Sequence, residues 1–227
     1  MIIGSNQMLQ TQAEVSIQAH IEGKEIKRVD SSKPLGLTID ETLSWSKQID
    51  NISKKITSGF GVLKRVRPFI KTHSATKIYQ ALIERHFRYC CSVWDGLSQT
   101  LNDKLQKLQN RVARVMIKSR YDASAGPLLD MLGWHWVSIS RTKQKEVVML
   151  KTLNDEMHPY MEDMFSVRNF YYNIRRSENI LHIPKPRTDY LKRSLRYSGA
   201  VLWSGLYSEL RKPLTLTRFK KGINDLD

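Results

Sequence analysis

The chain has 227 residues, 41% of them hydrophobic, which is enough to bury one or two small cores. Its 37 basic residues outnumber 22 acidic ones and leave a formal net charge of +15, extreme for an enzyme of small metabolites. Such a surplus points to a polyanionic partner, nucleic acid before acidic membrane.

Two cysteines occur, the neighbours Cys90 and Cys91. Adjacent residues are a poor geometry for a mutual disulfide, so an intracellular, reducing setting is expected, nucleus or cytoplasm. Met1-Ile-Ile-Gly4 carries no cationic lead or long apolar core, and no apolar run matches a bilayer's thickness. A soluble protein without a membrane partner is expected.

Residues 1–40 read as β. Ile2 and Ile3 begin a short strand, and Val15, Ile17, Ala19 and Ile21 alternate with polar neighbours. Glu22-Gly-Lys24 gives a hairpin turn into Ile26 and Val29. Leu35, Leu37 and Ile39 repeat the alternation, so three or four antiparallel strands are predicted, with Pro34 at a strand start or edge.

From Ser44 the period changes. Trp45, Ile49, Ile52 and Ile56 share one helix face, with Lys47, Lys54 and Lys55 away from it. This helix is expected to end near Gly59 and Gly61, and Pro68 blocks any continuation. A second helix carries Ala75, Ile78, Tyr79, Leu82 and Ile83, and a third opens with a capping box of Thr100 and Asp103. A fourth runs from about 138 to 153. Pro184 and Pro186 bracket a linker beyond the Tyr- and Arg-rich segment 170–176. A last helical pair is expected near 194–210 and 217–223. The fold class is therefore α+β: an N-terminal antiparallel hairpin or small sheet, then a mostly helical array. Three regions follow, 1–43, 44–158 and 159–227.

The third helix carries the most specific local signal. Leu101, Leu105, Leu108, Val112 and Val115 recur at steps of three and four, and Lys104, Lys107, Arg111, Arg114 and Lys118 recur one residue out of phase. At about 100° per residue the basic set spans an arc of roughly 80°, beside the apolar arc. An acid-free row of cations suits a phosphate backbone; the competing reading is an ordinary solvated face. A second basic cluster holds Lys185, Arg187, Lys192, Arg193 and Arg196. Tyr190 and Tyr197 interleave with it, either to stack on bases or, seven residues apart, to share a buried helix side.

Other chemistry is poorly represented. His86, Cys90 and Cys91 form the only close His/Cys group, short of a four-ligand zinc site. No nucleophile elbow or phosphate-binding glycine loop occurs, and no small-molecule substrate is suggested. Phosphoryl transfer needs clustered carboxylates for two Mg²⁺ ions, and no Asp-Asp pair exists. Asp30 and Asp40 read as strand-end caps.

Several segments, taken in order, resemble one family. They are Ile2-Ile-Gly-Ser5, Ile21-Glu-Gly-Lys24, Leu35-Gly-Leu-Thr-Ile-Asp40, Leu43-Ser-Trp45, Ile78-Tyr79, Tyr89-Cys90 and Val93-Trp94. Leu105-Gln-Lys-Leu-Gln-Asn-Arg-Val-Ala-Arg114, Gly199-Ala-Val-Leu-Trp203 and Phe219-Lys220 complete the series. Together they look like the end of the palm, the thumb and the region beyond it in jockey-like endonuclease–reverse transcriptases of non-LTR retrotransposons.

The resemblance implies a fragment of an RNA-directed DNA polymerase whose catalytic Asp box would lie upstream. Mg²⁺ is implied only for the full-length polymerase; this chain is expected to carry no catalytic residue, metal or cofactor and to be inactive alone. Leu35 and Gly36 resemble the primer-grip region, and the helices after Trp45 resemble the thumb. RNA, DNA or an RNA–DNA hybrid is the implied partner. Two rivals remain at this stage: a host nucleic-acid-binding protein without polymerase ancestry, and a helical module whose basic face meets acidic proteins.

Overall fold

A computed structural model describes residues 1–13, 19–168, 178–212 and 214–225. The fold is α+β, short antiparallel strand pairs near the N-terminus followed by helices, as the sequence predicts. The backbone divides into two compact units. One comprises Met1–Tyr89 with Leu97–Trp134, the other Cys90–Gly96 with His135–Asp227.

In the first unit the N-terminus departs from the β reading, because α1 (Asn6–Ala13) is helical. Ser5 nucleates it: its hydroxyl accepts from the Met8 amide at 3.3 Å and its carbonyl from the Leu9 amide at 2.9 Å. Leu9 is buried. Val15 and Ile17 of the expected strand lie outside the described residues.

The hairpin itself is present. β1 (Ala19–Ile21) pairs antiparallel with β2 (Lys24–Ile26), and the turn residues Glu22 and Gly23 both take positive φ, 52° and 76°. β3 (Ser31–Ser32) and β4 (Ile39–Asp40) form a separate pair, so the four strands make two ribbons and no common sheet. Of the alternating Leu35, Leu37 and Ile39, only Ile39 lies in a strand. Pro34–Gly36 closes one tight helical turn, with the Leu37 amide donating to the Pro34 carbonyl at 2.9 Å.

Asp40 organises the start of the next helix, α2 (Ser46–Val66). One carboxylate oxygen accepts from the Thr42 amide, the Thr42 hydroxyl and the Ser44 amide; the other accepts from the Trp45 amide at 3.0 Å. This side chain is the strand-end cap that the sequence suggests. The helix then runs through Gly59 and Gly61 instead of ending there. A β-carbon on Gly59 would stand 2.9 Å from the Leu82 carbonyl oxygen, so this glycine permits close packing and terminates nothing. Termination falls to Pro68, in the turn Arg67–Phe69.

α3 (Thr72–Tyr79) continues through a π-helical turn, Gln80–Glu84, into α4 (Arg85–Arg88). α5 (Gln99–Ile117) begins before Thr100, which places Thr100 inside the first turn and prevents the expected capping box. Ser98 occupies the cap position, and Asp103 instead accepts from the Gln99 side-chain amide at 2.8 Å. A further helix, α6 (Ala125–Leu132), was not anticipated. It buries Leu128 and Leu129 against Ala113.

α2 and α5 run parallel. Near their N-termini Lys104 donates to Asp50 at 2.5 Å, and near their C-termini the Arg67 guanidinium donates to the Met116 carbonyl at 2.9 and 2.7 Å. Ile49, Ile52, Ile56 and Leu63 of α2 and Leu105, Val112 and Met116 of α5 are buried. Tyr79 stacks on Trp134 with ring centroids 4.0 Å apart.

The second unit contains α7 (Val137–Leu153), α8 (Pro159–Glu162), α9 (Asp189–Arg193), α10 (Leu195–Gly205) and α11 (Leu216–Asn224). Met149, Leu150, Leu181, Ala200, Trp203 and Phe219 form its core. The segment Cys90–Gly96 belongs here: Trp94 is fully buried, the Arg141 guanidinium lies 5.4 Å from its ring centroid, and Asp95 pairs with both Arg141 and Lys145. Residues 170–176 lie outside the described residues.

Candidate nucleic-acid interface

The α5 stripe is the first candidate. The residues that α5 buries are Leu105, Gln109, Val112, Ala113 and Met116, while Leu101, Leu108 and Val115 are only half-buried. At about 100° per residue the packed face is therefore turned by roughly 60° from the one the leucine pattern suggests. The turn moves the basic row from beside the core to the side opposite it.

Lys107, Arg111 and Lys118 are exposed on that side. The two remaining members have local partners. Lys104 is paired with Asp50, and half-buried Arg114 donates from Nε to the Ala123 carbonyl at 3.0 Å. Lys118 closes the helix in the left-handed region, φ 57°, where glycine is usual. No acid occurs between Asp103 and Asp122, so nothing within α5 opposes this row after its first turn.

Leu35 and Gly36 lie in the same unit. Leu35 takes φ 49° and is 90% exposed, and Gly36 takes φ 81°. The Tyr89 hydroxyl donates to the Leu35 carbonyl at 2.6 Å, which fixes the turn from outside. A cleft of about 250 Å³ opens beside Gly36, with Lys33, Lys54, Lys55 and Asn51 among its lining residues. Sequence reading placed Lys54 and Lys55 off the apolar face but did not bring them to this turn. The signal was available: no acid occurs between Asp50 and Glu84.

In the second unit Lys185, Arg187, Lys192, Arg193 and Arg196 are all exposed. Lys192 pairs with Asp189 at 3.4 Å, and the Arg193 guanidinium stands 5.5 Å from the Tyr190 ring centroid. The Arg193 stem also packs on Gly96, where an added β-carbon would approach its Cβ to 2.9 Å. Tyr190 and Tyr197 are half-buried, between the two roles the sequence left open.

Four aspartates among the described residues are already engaged by other groups. Asp30 is engaged by Lys47 and Ser31, Asp40 by four donors, Asp50 by Lys104 and Asp95 by two cations. Among the described residues no three His, Cys, Asp or Glu side chains converge on a common point. Cys90 and Cys91 are both free thiols. Partial burial, then Arg85 and Lys55, push His86 below its ordinary value. Among the described residues no helix is long and apolar enough to cross a membrane.

Comparison with protein-family models finds no match, and neither the curated proteins nor the solved structures return a similar chain.

Proposed function

We propose that the chain binds RNA, DNA or an RNA–DNA hybrid without sequence preference, inside the cell, through the α5 stripe and the basic C-terminal region. The observation that carries this reading is the row Lys107, Arg111 and Lys118, exposed, free of acids and opposite the buried face of a well-packed helix. Such a row holds phosphates at successive helical turns by charge, and the contact releases counterions. The ordered motif series supports an origin in the palm end and thumb of a jockey-like reverse transcriptase.

Binding of the purified chain to random-sequence oligonucleotides across a salt series tests the proposal. Three phosphate contacts on a single strand give a log–log slope of about −2 or steeper. Salt-insensitive binding, or none, sinks it. Equal affinity for acidic polypeptides and oligonucleotides would instead favour an acidic-protein partner. Because the sequence holds no Asp-Asp pair, no template-directed nucleotide incorporation is expected with Mg²⁺ or Mn²⁺.

A further inference from the structure

The C-terminal ends of α2 and α5 carry two aromatic side chains that neither core uses. Phe69 and Tyr121 are each 88% exposed. Phe69 closes the turn Arg67–Phe69 behind α2, and Tyr121 stands in the turn after α5 that the Ala123 amide closes onto the Arg120 carbonyl at 3.2 Å. Exposing one ring is ordinary. Here both are presented at one end of the same unit by turns that buried or half-buried arginines hold in place.

Arg67 is the latch. Its guanidinium donates to the Met116 carbonyl of α5, to the Ile70 carbonyl at 3.0 Å and to the Thr72 hydroxyl at 3.1 Å. Arg114 holds the second turn through the Ala123 carbonyl. In the flanking sequence Lys64, Arg65, Lys71 and Lys118 are exposed, as is Arg120, which pairs with Asp122 at 3.3 Å. Asp122 is the one acid in these two turns, 64–71 and 118–123.

We infer that Phe69 and Tyr121 form a base-stacking platform for an unpaired nucleic-acid strand, whose phosphates the flanking cations hold. Exposed rings on braced turns, with cations in the flanking sequence, match the two parts of such a strand, flat apolar bases and a charged backbone. An apolar protein partner would gain from the rings but would desolvate Lys64, Arg65, Lys71 and Lys118 without supplying counter-charge. The inference rests on the nucleic-acid reading of this unit and adds a role that the α5 stripe cannot supply, recognition of bases as distinct from phosphates.

The test compares the full chain with the double variant Phe69→Ala, Tyr121→Ala on oligothymidylate and on an abasic strand of equal length. Stacking is worth roughly 5- to 150-fold per base, so the variant should bind oligothymidylate at least about fivefold more weakly. Its salt slope should match the parent's, and its affinity for the abasic strand should be unchanged. Tryptophan at both positions should restore oligothymidylate binding. If the double variant binds oligothymidylate like the parent, the platform is refuted while the stripe reading stands. If it loses affinity equally for both strands, the rings serve backbone binding or folding and the platform is again refuted. A parent that binds neither strand refutes both readings.

Discussion

Asp50 on α2 accepts a 2.5 Å hydrogen bond from Lys104 on α5, so the first cation of the basic row is balanced from the neighbouring helix. Both side chains are about half exposed, which limits the pair to a fraction of a kcal/mol. Its effect is on where the row begins: Lys107, one turn further on, is the first cation without that counter-charge.

Changing Lys107, Arg111 and Lys118 together to Gln should flatten the log–log salt dependence of single-strand binding by about 2 units. Changing Lys104 alone to Gln should move it by well under 1 unit. Filter binding across a salt series reads both, and circular dichroism should show unchanged helicity.

Asp40→Asn should destabilise the first unit by about 1–3 kcal/mol, since four donors share this one carboxylate. Burial pushes the Asp40 carboxyl up, but the hydrogen bonds from Thr42, Ser44 and Trp45 prevail and hold it below the ordinary 3.8. A depressed folded-state value adds stability that is present above pH 3.8 and lost as pH falls through the folded value. Urea midpoints across that acid window should fall more steeply for the parent than for the Asn variant.

Arg67→Met should cost about 2–4 kcal/mol, because the Met116 and Ile70 carbonyls and the Thr72 hydroxyl all lose their guanidinium donor. Lysine at this position should recover only part, since an ammonium cannot reproduce the planar fork. Chemical denaturation measures the order parent, Lys, Met.

Asp95→Asn should destabilise the second unit by about 3–5 kcal/mol. Arg141 and Lys145 are almost fully buried, and the substitution removes a charge that pairs with both. Trp94 fluorescence should shift as Arg141 leaves its ring. An unchanged denaturation midpoint would show that the cations find other compensation.

Much of the fold was legible in the chain. The Glu22-Gly23 turn, the helix from Trp45 to Pro68 and the amphipathic α5 are fixed by local chemistry: a two-residue turn with positive φ, a proline stop and a repeat of apolar residues. What failed depended on distant partners. Gly59 reads as a stop until Leu82 is known to press on it, and the packed face of α5 is set by α2 and α6, which turn it past the leucine row. Of the site residues, the exposure of Lys107, Arg111 and Lys118 follows from periodicity. The cleft at Lys33, Lys54 and Lys55 required the turn at Leu35 to fold back toward α2, which alternation alone misread as strand.

The excursion of Cys90–Gly96 has a consequence for how the chain can be cut and how it can assemble. The backbone passes between the two units three times, after Tyr89, after Gly96 and after Trp134. No single scission therefore releases two complete halves: a break after Trp134 strands Trp94 and Asp95 on the wrong fragment. During synthesis Trp94 and Asp95 emerge before α7, so their partners Arg141 and Lys145 arrive only later. Chains nicked after Trp134 should stay associated or lose structure in the second unit, and a tandem-domain view of the molecule would mispredict a truncation made at that boundary.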